Sequence, residues 1–218
     1  MESIPYASTV GSLMYAQVCL RLDIAYAVGM LGTYQSNPGM EHWKATKKVM
    51  RYLQRTKNHM LTYKNVDHLE MVRYSDSDFV GCKDSRKSTS RYVFMLVGGA
   101  ISWKSTKQMI IALSTMEAEF IACFEATSHA KWLRNFITRL QVVDSLSKPL
   151  QIYCNNLAAI FFSKNNKSES KERIKEQEVS IEHTSTTFIT ADPMTKGLSI
   201  KTFLKHVESM GLVSSFYA

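Results

Sequence analysis

The chain has 218 residues, 45% of them hydrophobic, and a formal net charge of +8 from 27 Lys and Arg against 19 Asp and Glu. This composition excludes a disordered chain and allows one or two domains with an ordinary core. The basic excess favours a polyanionic partner, although it is weaker than in dedicated DNA-binding proteins.

Four cysteines, Cys19, Cys82, Cys123 and Cys154, show no metal-ligand spacing. Three of them fall in predicted helix or strand, so reduced, buried thiols are expected and zinc is not. Met1 to Pro5 lacks the basic flank and apolar run of a signal peptide. The apolar stretch from Thr9 ends at Arg21 and Asp23, too short for a bilayer span. The expectation is an intracellular protein, cytoplasmic or nuclear, without a membrane partner or a small-molecule substrate.

Residues 6–34 carry small and apolar residues at helical spacing, with Leu13, Tyr15, Val18, Ile24, Ala27 and Met30 as candidate core. The pattern reads as two helices broken near Arg21 and stopped at Gly32. After the turn Asn37-Pro38-Gly39, a helix from Glu41 places Lys44, Lys47, Lys48, Arg51 and Arg55 on one face. Ala45, Val49, Met50, Tyr52 and Leu53 occupy the other side. A solvated face is the usual meaning of such a stripe. Here Glu41 is the only acid among seven Lys or Arg between residues 41 and 64, which brings phosphate tracking level with it.

From Leu69 to Leu113 the period changes to two. Strands are expected near residues 72–76, 92–97 and 100–104, and a further one at 110–113, in an antiparallel meander turned at Gly98-Gly99. The connection Arg86-Lys87-Ser88-Thr89-Ser90 is polar and basic. The longest helix is expected from Thr115 to about Leu140, followed by a strand at 151–154 and a short helix at 156–163. Residues 163–178 carry five positive and four negative charges and read as a solvated helix or mobile loop. A strand at 179–183 and a terminal helix from about Pro193 to Met210, stopped by Gly211, complete the chain. The whole is a mixed α/β domain, residues 69–213, behind a helical segment, residues 1–65.

The stretch from Tyr74 to Glu119 organises the rest. A carboxylate at a strand end and another in the first turns of a helix is how divalent-metal nuclease sites are assembled, although Asp76 and Asp78 are equally readable as turn residues. Glu117 and Glu119 point about 200° apart around the helix. Glu119 shares a small apolar face with Ala126, Ala130, Leu133 and Ile137, whereas Glu117 falls with Ser128 and Asn135. Ser114-x-x-Glu117 fits a capping box, a purely structural role. A buried carboxylate needs a partner, so Glu119 is the functional candidate. Asp192 before Pro193 fits an N-cap.

Six motifs then occur in order: Tyr74-Ser-Asp-Ser-Asp-Phe-Val-Gly81, Asp84-Ser-Arg-Lys-Ser-Thr-Ser90, Gly98-Gly-Ala-Ile-Ser-Trp103, Leu113-Ser-Thr-Met-Glu-Ala-Glu-Phe120, Ile152-Tyr-Cys154 and Ala191-Asp-Pro-Met-Thr-Lys-Gly197. Together they closely resemble the RNase H domain of plant copia-type retrotransposon Pol polyproteins. Tyr6 to Leu61 resembles the end of the preceding reverse transcriptase, through its thumb or connection. The resemblance implies a five-stranded mixed sheet flanked by helices, and two Mg²⁺ ions held by four acids that cut the RNA strand of an RNA–DNA hybrid. Carried over by motif, Asp76, Glu119 and Asp192 are metal ligands, and an N-cap role for Asp192 is compatible with that.

Two departures stand out. Where the family reads Tyr-Cys-Asp-Asn, this chain has Tyr153-Cys154-Asn155-Asn156, so a catalytic acid position holds an amide. About a dozen residues of the family pattern, with a Lys-His-Ile-Asp segment, are missing between Lys171 and Val179. Smaller departures are Leu22 for proline, and Arg55 and Arg91 for glycine. The resemblance implies a weak or inactive ribonuclease, or a nucleic-acid-binding remnant. Lys44, Lys47, Lys48, Arg51, Arg55, Arg86 and Lys87 are the candidate nucleic-acid contacts, and a reverse-transcriptase chain is a candidate partner.

Overall fold

The computed structural model describes residues 4–64, 71–81, 85–141, 150–165, 179–185, 191, 194 and 197–215. Helices α1 (Tyr6–Cys19), α2 (Ala25–Gly32) and α3 (Met40–Arg55) come first, with a 3₁₀ turn at Leu22–Ile24 between the first two. The strands and helices that follow are β1 (His59–Leu61), β2 (Met71–Asp78), β3 (Thr89–Leu96), β4 (Gly99–Lys107), α4 (Thr115–Arg139), β5 (Leu150–Cys154), α5 (Leu157–Asn165), β6 (Val179–His183), α6 (Ile200–Ser209) and β7 (Leu212–Ser214).

Five strands form one mixed sheet in the order β4-β3-β2-β5-β6. The meander β2-β3-β4 is antiparallel, whereas β5 runs parallel to β2 and β6 parallel to β5. This is the five-stranded mixed sheet flanked by helices that the resemblance implied.

Alternation along β3 divides the core. Tyr92 and Phe94 face α4 and pack with Ala126, Ala130, Leu133 and Ile137, joined by Ile152 and Val179 from the parallel strands. Val93 and Met95 face the other way, onto Leu22, Ala25, Val207, Met210 and Leu212. Each fully buried side chain of this size contributes about 1.5–3 kcal/mol. The leading helices therefore share a core with the sheet. Trp103 Nε1–H of β4 also donates to the Gln17 carbonyl of α1 at 2.9 Å.

The break near Arg21 has a chemical reason. Arg21 grips Asp23 through Nε at 3.0 Å and Nη2 at 2.8 Å, and Tyr52 O–H of α3 donates to the same carboxylate at 2.6 Å. Asp23 is only 3% exposed, so these bonds hold a buried charge and pin α3 against the turn.

Several expectations are corrected. Residues 110–113 form no strand; Ile110, Ile111 and Leu113 are exposed beyond β4. Tyr15, Val18 and Met30 are exposed, because α1 and α2 bury the stripe Tyr6, Val10, Leu13, Val28 and Leu31 instead. Met50 is exposed as well. Cys19 is exposed, while Cys123 and Cys154 are buried thiols; Cys82 lies outside the described residues. The terminal helix starts at Ile200, with Ser199 Oγ accepting from Thr202 N–H, not at Pro193. The run 163–178 is described only as far as residue 165.

A second small sheet escaped the sequence reading. β1 pairs antiparallel with β7, Met60 opposite Val213, and ties the end of the helical segment to the chain's last strand. Gly211, at φ +80°, turns the chain from α6 into it. A Cβ there would lie 2.7 Å from Gly99 Cα and 2.9 Å from the Gly98 carbonyl oxygen, so only glycine fits.

Candidate active site

The site forms where three elements end or begin together. Asp76 lies near the end of β2, Glu119 in the second turn of α4, and Asn155 just past the end of the parallel strand β5. Side chains from all three line one cavity of about 470 Å³, with Ser77, Asp78 and Thr115.

The small face of α4 lets this happen. Ala118 and Ala122 are fully buried, and the helix approaches β2 closely enough for Ser77 N–H to donate to Glu119 Oε1 at 3.3 Å. Asp76 and Glu119 are 4% and 3% exposed, and the two carboxyl groups are close electrostatic neighbours. Burial first, then the neighbouring Asp76 carboxylate, hold the Glu119 carboxyl well above the usual carboxylate range. The Cys154 thiol sits 3.9 Å from Glu119 Oε2, packed on Cys123 of α4.

Glu117 has the other role. Ser114 Oγ accepts from Glu117 N–H at 3.1 Å, and Glu117 Oε2 accepts from Leu113 N–H at 2.8 Å. The reach is one residue further back than the capping box predicts, but it serves the same end of α4. Asn156 caps the next helix, its Oδ1 accepting from Ala159 N–H at 3.0 Å. Asn155, half-buried, lines the cavity beside Asn156 and has no such capping bond among those described.

The other candidates are placed differently. Asp192 lies outside the described residues. Arg86 is exposed and Lys87 half-buried in the connection before β3, where Ser88 Oγ accepts from Val80 N–H beyond the end of β2. They stand at the acid end of the sheet without lining the cavity. Lys44, Lys47, Lys48, Arg51 and Arg55 are all exposed along α3, and none of them lines the acid cavity. Lys44 is paired with Glu41 at 2.7 Å.

One buried cation that the motifs gave no role is Arg91. It stands opposite Asp76 in the β2–β3 register, only 4% exposed. Its signal was available: a charged residue at an inward-facing position of a central strand.

Over 165 residues the chain is 46% identical to the retrovirus-related Pol polyprotein from transposon TNT 1-94 of Nicotiana tabacum, across 76% of this chain and 12% of that protein. It is 32% identical over 220 residues to the Pol polyprotein from transposon RE2 of Arabidopsis thaliana, across 95% of this chain and 15% of that one. The chain's homologues thus include plant retrovirus-related transposon Pol polyproteins. The chain spans only a small fraction of these polyprotein relatives. A protein of Plasmopara viticola named secreted RxLR effector protein 161 is 47% identical over 133 residues, 61% of this chain and 94% of its own length. This Pol-type segment matches no protein-family model. A solved foamy viral protease-reverse transcriptase in complex with double-stranded DNA overlays 83% of it and 34% of the viral chain, at 12% identity and a TM-score of 0.42. Among the described residues no helix is long and apolar enough to cross a membrane.

Proposed function

We propose that this segment is an RNA–DNA hybrid ribonuclease site impaired by Asn155, with Asp76 and Glu119 as its working acids. The observation that carries this reading is the buried pairing of Asp76 with Glu119 in a cavity that Asn155 also lines. Two carboxyl groups held together out of water repel when both are charged, and a cation between them relieves that repulsion.

The donor chemistry fits a hard divalent cation such as Mg²⁺: two carboxylates and one amide oxygen. Among the described residues no group of three His, Cys, Asp or Glu is placed to hold a metal. With Asn155 in place of an acid, the set is short by the charge that a carboxylate at that position would add. Asp76 and Glu119 would hold the ion, Asn155 would offer a neutral oxygen, and Asp192 is the further acid the family resemblance supplies. Bound there, Mg²⁺ ions supply Lewis-acid polarisation of a phosphodiester and a more acidic water.

The chain's own groups do the rest. Ser77 N–H fixes the Glu119 carboxyl toward Asp76, and α4 and β2 hold both acids on rigid elements. A lost acid that removes about 4 kcal/mol of transition-state stabilisation slows cleavage roughly a thousandfold. The shortened segment after Lys171 adds to the impairment through its effect on Asp192. The competing reading is a nucleic-acid-binding remnant without cleavage, for which the exposed α3 stripe is the supporting observation. Cleavage of a labelled hybrid in Mg²⁺ and then Mn²⁺ separates the two: product that Asp76→Asn abolishes supports the nuclease, and binding without product supports the remnant.

A further inference from the structure

A second cavity, about 680 Å³, opens between the end of α2 and the ends of β3 and β4, and Asp78 lines both it and the acid cavity. Its wall includes Gly29, Thr89, Arg91, Ser105 and Lys107. Arg91 is the unusual member. Its Nε donates to Ser105 Oγ at 3.1 Å, its guanidinium stands 6.0 Å from the Tyr26 ring centroid, and its buried Nη1 has no hydrogen-bond partner. A buried cationic donor left unpaired has lost its water without a replacement, and the group that best replaces it is an anion. Asp78 and Asp76 are electrostatic neighbours of Arg91, but no hydrogen bond engages its Nη1, so that donor remains open toward the cavity wall. The last carbonyls of α2 are engaged, Met30 with Thr33 N–H and Leu31 with Tyr34 N–H, each at 3.2 Å.

We propose that this cavity takes one backbone phosphate of a nucleic-acid strand, with the Arg91 guanidinium as its counter-charge and the hydroxyls of Thr89 and Ser105 beside it. The proposal rests on the nucleic-acid reading above and extends it. A strand laid across the acid cavity continues past Asp78 into the Arg91 cavity, so one phosphodiester lies over the acids while another on the same strand is held. Arg91 is then a binding residue that sets the strand's position, not a catalytic one.

Gly29 offers a test that spares the core. It lines the cavity from an exposed turn of α2, and a Cβ there meets nothing within 4 Å. Replacing a helical glycine also favours the helix. Hybrid affinity is measured at fixed salt in chelator for Gly29→Glu, Gly29→Gln and Gly29→Lys. Asn135→Glu and Asn135→Lys, on the exposed face of α4, give the baseline for one unit of charge. The expected result is a Gly29→Lys over Gly29→Glu affinity ratio at least fivefold larger than the Asn135 ratio, with Gly29→Gln between. Equal ratios overturn the proposal. If Lys47→Ala with Arg51→Ala weakens binding while the Gly29 series is flat, the nucleic-acid reading stands and this cavity is not part of it. If neither series changes affinity, both fall. Stabilisation by inorganic phosphate beyond chloride of equal ionic strength, with hybrid affinity independent of residue 29, assigns the cavity to a free phosphate and also overturns the proposal.

Discussion

The backbone N–H of Ser77 donates to Glu119 Oε1 at 3.3 Å, so the residue after Asp76 aims the second acid at the first. That one bond joins the longest helix to the central strand at the point where the chemistry is proposed. Glu117, two residues earlier, is turned away and spends its carboxylate on the end of α4. Replacing the two glutamates should therefore separate structure from cation response. Glu117→Gln is expected to cost about 1 kcal/mol or less in urea unfolding and to leave Mn²⁺ binding intact. Glu119→Gln is expected to abolish Mn²⁺ binding measured by calorimetry while the fold survives. Equal Mn²⁺ affinity in both variants would exchange their roles.

The metal-free protein should lose stability as pH rises. Burial and Asp76 raise the folded-state pKa of Glu119, so the folded chain keeps a proton that the unfolded chain releases. This contribution is whole below the unfolded carboxylate pKa and is lost as pH climbs toward the folded value, at up to about 1.4 kcal/mol per pH unit. Urea midpoints in chelator at pH 5.5 and pH 8 should fall for wild type and fall less for Glu119→Gln. Parallel losses in the two proteins would remove Glu119 as the cause.

The amphipathic pattern made much of this legible. The wheel of α4, which put Glu119 among Ala126, Ala130, Leu133 and Ile137, matches a face that is buried throughout. The cationic stripe of α3 is exposed as read. What periodicity missed depends on distant partners. Tyr15 and Val18 read as core because α1 is apolar nearly all round, and only the packing of α2 and α3 decides which stripe is covered. β1 and β7 are three residues each, too short to show a period, and exist because they pair with each other. Arg91 was legible as a residue type but not as a role, since its meaning lies in the register opposite Asp76.

The β1–β7 sheet should depend on Gly211. Gly211→Ala forces a left-handed alanine against Gly99 and the Thr62 carbonyl oxygen, 2.9 Å away. A loss of about 1–3 kcal/mol is expected, with faster hydrogen exchange at Thr62, whose N–H donates to the Gly211 carbonyl at 2.8 Å. Unchanged stability and exchange would contradict the tight packing around that turn.

Binding should carry a salt signature. Lys47 and Arg51 are exposed neighbours on α3 and lie outside the acid cavity. On duplex DNA each neutralised phosphate contributes about −0.9 to the slope of log affinity against log salt. Lys47→Ala with Arg51→Ala is expected to flatten that slope by roughly two units, read by fluorescence anisotropy. An unchanged slope would leave α3 as a solvated surface.

The amide at position 155 is the proposed lesion of the site. Wild type is expected to be nearly inactive on a labelled RNA–DNA hybrid in Mg²⁺, and Asn155→Asp to raise cleavage roughly tenfold or more. That gain corresponds to about 1.4 kcal/mol of recovered barrier and is only part of what the lost acid supplied. Asp76→Asn in the Asn155→Asp background gives the blank. Wild type cleaving as fast as Asn155→Asp, or Asn155→Asp no faster than the blank, would contradict that expectation.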